Sequence, residues 1–312
     1  MCTKNAAIMS HDHDETGHMH GPASFGKAFA IGVALNLGFV VIEVVYGFLS
    51  NSVALLADAG HNLGDVLGLL VAWAASELVK RAPTDRFTYG LGGSSILAAL
   101  FNAVFLLLTV GAISWEAVQR IGSPEPVLEK TVMIVAAIGI VINGATAWLF
   151  ASGSKGDLNL RGAYLHMASD ALVSAGVVVA GLVILLTGWL WLDPVVSLAI
   201  NLVIVWGTWG LLRESVGMSM AAVPSHIDPV EVRTFLAMQP EVTDLHDLHI
   251  WPMSTTEVAL TCHLVMKDGH PGDAFLHELS GELAHRFKIN HPTLQIEIDP
   301  QQACALAPNE VV

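Results

Sequence analysis

Long apolar stretches alternate with short polar breaks through the first two thirds of the chain. No Lys or Arg occurs over Ala28–Val79, Phe87–Gln119, Thr131–Ser154 or Gly162–Leu212. Each run is long enough for a bilayer-spanning helix, which needs roughly 20 mostly apolar residues. Divided at their turns, the runs predict six spans, at 27–49, 53–79, 92–118, 131–152, 160–187 and 191–212. Glycine, proline and small polar residues fill the breaks: Ser50–Ser52, Lys80–Gly90, Gly122–Lys130, Ser152–Asn159 and Thr187–Pro194.

After Pro224 the pattern changes. Asp228 followed by Pro229 reads as a helix cap and first turn, and that helix must end before Pro240. Strand patterns follow at Leu245–Trp251 and Glu257–Met266. Leu276, Leu279, Leu283 and Phe287 recur at helical spacing between Gly272 and Lys288. Thr293–Asp299 alternates Leu294, Ile296 and Ile298 against Glu297 and Asp299. The order αββαβ predicts a small open sheet with its helices on one face. The chain thus divides into a His-rich tail (1–24), a six-helix transmembrane bundle (25–215), a small soluble domain (225–300) and a tail read as unstructured (301–312).

Composition agrees with this division. Only 13% of the residues are charged, against about 25% in a soluble domain, so the class is a polytopic membrane protein in contact with lipid. A net charge of −14 argues against nucleic acid as a partner. The first 24 residues lack the apolar stretch of a cleavable signal. Cys2, Cys262 and Cys304 are isolated, with no CxxC pair, and Cys262 reads as a small core residue between Leu260 and Leu264. Lys27, Lys80, Arg81, Arg86, Lys155, Arg161 and Arg213 fall on one side of the six spans, and only Arg120 and Lys130 on the other. Both termini are therefore expected in the cytoplasm.

The membrane region contains two histidines, each with an aspartate four residues later: His61 and Asp65 in the second span, His166 and Asp170 in the fifth. A spacing of four sets both side chains on one helix face, one turn apart. Two imidazoles and two carboxylates make a four-ligand set that zinc accepts in a tetrahedron and that also suits cobalt. Two carboxylates at membrane depth with no intramembrane Lys or Arg need a counter-ion, which a divalent cation or protons would supply. Asp58, on the same face as His61, is either an outer-shell or entry carboxylate or a packing group. Glu43 is a candidate to face the same aqueous cavity, without a partner at ligand spacing. Asn36, Asn102, Asn143 and Asn201 read as interhelical hydrogen-bonding groups.

Ser52-Val-Ala-Leu-Leu-Ala-Asp-Ala-Gly-His61-Asn-Leu-Gly-Asp65, Gly162-Ala-Tyr-Leu-His166-Met-Ala-Ser-Asp170 and His246-Asp-Leu-His249-Ile-Trp251 resemble the cation diffusion facilitator family, and most its bacterial zinc, cobalt and cadmium resistance exporters. The resemblance covers about Lys27 to Pro300. It implies a homodimer, metal/proton antiport and a cytoplasmic metallochaperone-like αββαβ domain. By motif it assigns His61, Asp65, His166 and Asp170 to the transport site, and His246, His263, Glu297 and Asp299 to the C-terminal domain. The chain departs from the family pattern at Tyr89-Gly-Leu-Gly-Gly93-Ser-Ser95, which lacks the usual Arg and acid. It departs again at Ala221-Ala-Val-Pro224, which lacks an acid before the proline.

Strand alternation gives the C-terminal assignment a geometric basis. His263 points away from the Leu260/Cys262/Leu264 face, and Glu297 and Asp299 away from the Leu294/Ile296/Ile298 face, so the three can meet on the uncovered side. His246 approaches from the start of the first strand, while His249 faces the other way. His277 and His285 remain open as further ligands. Residues 224–312 carry thirteen acidic and four basic side chains, so paired copies would repel and bound cations would relieve the repulsion. His11, His13, His18 and His20 form either a weak metal-collecting tract or an inert tail.

The expected function is that of a secondary transporter exporting zinc, with cobalt or cadmium as further cargo, across the bacterial inner membrane, with Zn2+ also held in the C-terminal domain. No Walker motif is present to couple ATP. The alternatives are a membrane-bound metal sensor or scaffold, and an intramembrane metalloenzyme. HExxH is absent, and all four candidate ligands are already committed.

Overall fold

The computed structural model describes residues 27–151, 158–267, 269–298 and 304. The N-terminal histidines and Asp299 lie outside the described residues, as does the side chain of His166. Six long helices form where six spans are expected: α1 (Lys27–Ser50), α2 (Val53–Val79), α3 (Ser94–Gly122), α4 (Glu129–Ala151), α5 (Leu158–Thr187) and α6 (Leu192–Ser219). Among the described residues, all but α4 contain a run long and apolar enough by composition to cross a membrane.

Two helices run past the ends expected from the sequence. α3 continues to Gly122 and α6 to Ser219, past the expected ends at 118 and 212. The absence of Lys and Arg sets the expected ends, whereas a helix continues past a charged residue while its residues permit. Arg213 and Glu214 do permit it.

Helix α2 lies at the centre, packed against α1, α3, α5 and α6, while α4 packs on α5 and α1. Small residues let the backbones approach closely. A Cβ at Gly64 would stand 1.9 Å from Leu106 Cδ1 of α3, and one at Gly139 would stand 2.8 Å from Phe39 of α1. The outer faces carry exposed Leu35, Phe48, Leu108, Trp148, Leu186 and Trp206, an apolar surface suited to hydrocarbon rather than water.

The start of α2 is held from outside the helix. Ser52 caps it by accepting from Leu55 N. Asp193, at the start of α6, accepts from the Ser52 hydroxyl, from Val53 N at 2.8 Å and from Ala54 N at 3.4 Å. The carboxylate thereby satisfies otherwise unpaired N–H groups at the positive end of the α2 dipole.

The C-terminal unit has the expected order: α7 (Pro229–Ala237), β1 (Val242–Pro252), β2 (Val258–Met266), α8 (Asp273–Phe287) and β3 (His291–Glu297). Strand order is β1-β2-β3, with β1 antiparallel and β3 parallel to β2. Val232 and Leu236 of α7 join Leu279, Leu283 and Phe287 of α8 in one core with Leu260, Cys262 and Leu264 of β2. Both helices therefore cover the same face and leave the other to His263. Cys262 is buried as expected, and burial pushes its thiol up to about 12, which makes it a poor source of thiolate.

The two units touch at the stretch where the usual charges are missing. Ser95 Oγ accepts from Thr255 N at 3.0 Å, and Tyr89 meets His291 edge-on at 5.5 Å. A Cβ at Gly92 would stand 2.9 Å from Met253 O. The contact is neutral and depends on glycine for its closeness.

Candidate metal centres

Helix spacing brings the first centre together. His61 Nε2 lies 3.1 Å from Asp170 Oδ1 and 3.8 Å from Asp65 Oδ2. One ligand atom from each of these three residues falls within 4.8 Å of the others. Asp170 is buried, while His61 and Asp65 keep part of their surface open. His166 occupies α5 one turn before Asp170.

A cavity of about 330 Å³ opens beside Asp65 and Asp170 and is lined by Asn36, Asn62, Asn102 and Asn143. Three of the four asparagines expected to bond between helices therefore wall a cavity instead. Asn102 Oδ1 and Asn143 Nδ2 have no protein partner among the described residues, so the oxygen can accept from water or face a cation and the amide nitrogen can donate to water. Asn201 does act as expected, donating to Ser114 Oγ at 2.9 Å. A spacing pattern shows that a polar residue sits on a helix but not whether its face meets another helix or a cavity. Glu43 is fully buried and absent from the lining, so it does not face that cavity.

The second centre is built on the open face of the sheet. His246 pairs with His263 across β1 and β2, and their rings lie 5.1 Å apart. Glu297 Oε1 is 2.9 Å from His263 Nδ1 and 3.4 Å from His246 Nε2. Cys304 Sγ comes to 3.6 Å from His263 Nδ1. His246, His263, Glu297 and Cys304 together can supply four ligand atoms within 4.8 Å of one another. Burial works against ionisation of Glu297, but the hydrogen bond from Cys304 and the neighbouring His246 and His263 outweigh it. They hold the carboxyl below its usual range.

Sequence reasoning missed two residues here. Cys304 stood alone in a stretch read as tail. Asp247 was not considered as a candidate; regular strand alternation would place it on the face opposite His246. The strand does not alternate there: between His246 and His249 the register shifts, and Asp247 has φ of 51°. This bulge turns consecutive residues toward one ring, and Asp247 Oδ2 reaches 3.5 Å from His263 Nε2. The sequence offered only the residue type: Asp tolerates a left-handed conformation better than most residues. His249 contacts Asp247 at 2.8 Å and stays outside the cluster, as expected. His277 and His285 are not among the clustered residues.

Comparison with known proteins agrees with both halves of this architecture. The family description "Cation efflux transmembrane domain" matches residues 29–218, and "Cation efflux protein, cytoplasmic domain" matches 224–299. The zinc transporter ZitB of Escherichia coli (strain K12) is 35% identical over 94% of each chain. The cation efflux system protein CzcD of Alcaligenes sp. (strain CT14) is 36% identical over 91% of this chain and 90% of its own. The cadmium, cobalt and zinc/H(+)-K(+) antiporter of Bacillus subtilis (strain 168) is 34% identical over 91% and 92%. A bundle of apolar helices around a His/Asp cluster, joined to a matching cytoplasmic sheet domain, makes this chain a member of the cation efflux family: a membrane transporter and not an enzyme.

Proposed function

We propose that this transporter exports zinc from the cytoplasm, with cobalt and cadmium as further cargo, in exchange for protons. The observation that carries the reading is the convergence of His61, Asp65 and Asp170 beside a polar cavity within an otherwise apolar bundle. With His166 as fourth ligand, two neutral imidazoles and two carboxylates hold a charge of −2, which one zinc ion cancels. Returning the empty site at −2 through the bundle would be costly, so protons replace the metal on the way back. The names of the Escherichia coli and Bacillus subtilis relatives support the same cargo and counter-ion.

In the cytoplasmic domain, His246, His263, Glu297 and Cys304 form an N2OS set that fits zinc. Asp247 orients the His263 ring from behind, as outer-shell carboxylates do. We read the working form as a homodimer in a bacterial inner membrane, with both termini in the cytoplasm, where Asp299 remains a further candidate ligand.

The test is zinc flux in proteoliposomes. Asp65→Asn and Asp170→Asn should each abolish it while the protein still inserts and folds. Near-normal flux in either variant would sink the assignment.

A further inference from the structure

The end of the bundle away from the sheet domain is tied together at one turn. Ser50, Asn51 and Ser52 lead from α1 into α2, with Asn51 in a left-handed conformation at φ of 58°, which asparagine tolerates better than most residues. The α3–α4 segment, residues 123–128, is bonded to this turn. Asn51 Nδ2 donates to Glu125 Oε2 at 2.7 Å and to Pro126 O at 3.3 Å, and Leu128 N donates to Ser50 O at 2.9 Å. From the end of α3, Arg120 Nη1 donates to Asn51 O at 2.7 Å and Nε donates to Glu116 Oε1 at 2.8 Å. Arg120 Nη1 also stands 4.0 Å from Glu125 Oε2.

Two kinds of bond meet here. Those of Asp193 to Ser52, Val53 and Ala54 are buried, so water does not compete for them. Those of Arg120 reach the surface, where the Glu116 and Glu125 side chains are about half exposed. Exposed ion pairs are weak and are screened by salt. The turn can therefore part from Arg120 and Glu125 while α2 stays pinned to α6.

The transport centre opens toward the opposite end. Its cavity reaches Asn36 of α1, Gly68 of α2, Asn102 of α3 and Leu211 of α6, toward the ends of α2, α3 and α6 that lead to the sheet domain. Between His61 and the turn, Val53, Ala54, Leu55, Ala57 and Ala59 are all buried. Val127, next to Pro126, belongs to the same bundle core as Leu55 and Ala57. A secondary transporter must expose its site to each side of the membrane in turn, so this buried end is the one that has to open.

We infer that Arg120, Asn51 and Glu125 form a latch that shuts the transport path on the side away from the sheet domain, and that parting of the latch exposes the centre there. The inference rests on the export reading above and gives its exit side named residues. No covalent bond changes: the guanidinium, the amide and the carboxylate exchange one another for water.

The test uses the full chain in membrane vesicles. Val53→Cys places a reporter thiol in the buried end, and a membrane-impermeant maleimide is added on the side away from the sheet domain. Cys2, Cys262 and Cys304 precede α1 or follow α6 and lie across the membrane from the reagent. Adding Arg120→Ala and Glu125→Ala to this parent should raise the labelling rate by about 5-fold, the upper effect of removing one exposed ion pair. Zinc binding, read by calorimetry, should stay as in the parent. Salt at about 1 M should raise labelling in the parent but add little once both latch residues are gone. The salt response of the parent needs no latch substitution, so it stands even if the substituted protein folds poorly. Labelling unchanged by the two substitutions would overturn the inference. So would an equal salt response with and without the latch, or loss of zinc binding when the latch is removed. Absence of zinc flux in the wild type would sink the export reading instead, whatever the labelling.

Discussion

The membrane centre and the cytoplasmic centre use similar side chains on opposite kinds of scaffold. In the bundle, His61 and Asp65 stand one turn apart on a single helix, and Asp170 comes from a packed neighbour. In the sheet domain, cross-strand His246 and His263 are completed by Glu297 from β3, by Cys304 beyond it, and by a bulge that turns Asp247 inward. The first centre sits beside a cavity and, among the described residues, offers hard and borderline donors. The second adds a sulfur. A cargo site must release its ion, whereas a resident site gains from a softer, tighter set.

The sharpest way to break this contrast is to remove ligands from each side. Asp65→Ala should abolish zinc flux. His263→Ala combined with Glu297→Ala should remove metal binding at the cytoplasmic centre while leaving slower flux. Equal loss of flux in both variants would show that the two centres are not separate in role. Next in size is Asp247. Asp247→Gly keeps the left-handed backbone but deletes the carboxylate, and should weaken cytoplasmic zinc binding by about 10- to 100-fold, the usual cost of a lost outer-shell partner. Asp247→Ala should add a backbone penalty of roughly 1–2 kcal/mol. If the glycine variant binds zinc like the wild type in calorimetry, Asp247 does not orient His263.

Acidity offers a smaller effect with a definite sign. Glu297 is held below the usual carboxylate range. Its contribution to stability is therefore present above an ordinary Glu pKa of about 4.3 and is lost only as pH falls through its own lower value. The stability difference between the wild type and Glu297→Gln, read by thermal unfolding without metal, should be present at pH 5, above the ordinary Glu pKa. It should shrink only below about pH 4. Zinc binding should fade earlier on acidification, because imidazoles must lose their proton to bind metal. The smallest expected change is in preference: Cys304→Ser should lower cytoplasmic affinity for cadmium more than for zinc, since cadmium is the softer ion. Parallel losses for the two metals would remove Cys304 from the ligand set.

What could be read from the chain follows from which geometry is periodic. The i, i+4 spacing of His61 and Asp65 fixes their shared face once the segment is helical, so that pairing was legible. The contact of His61 with Asp170 joins residues far apart in sequence, and it was legible only because both positions carry ligand chemistry at membrane depth. The faces of Asn36, Asn102 and Asn143 were not legible, because amides suit both a helix contact and a cavity wall. Asp247 was hidden by a one-residue break in strand alternation. Cys304 was hidden because nothing periodic leads to it.

The carboxylate of Asp193 pins one end of α2 to the start of α6, and a rod pinned at one end is a lever. At 1.5 Å per residue, His61 lies about 12 Å from the pin and the far end of α2 about 40 Å. A tilt of about 10° would move His61 by about 2 Å but the far end by about 7 Å. That end runs on into Tyr89–Ser95, the segment docked on the sheet domain. By this geometry any tilt about the pin would sweep the far end, which leads through residues 80–88 to the docked segment, more than three times as far as His61.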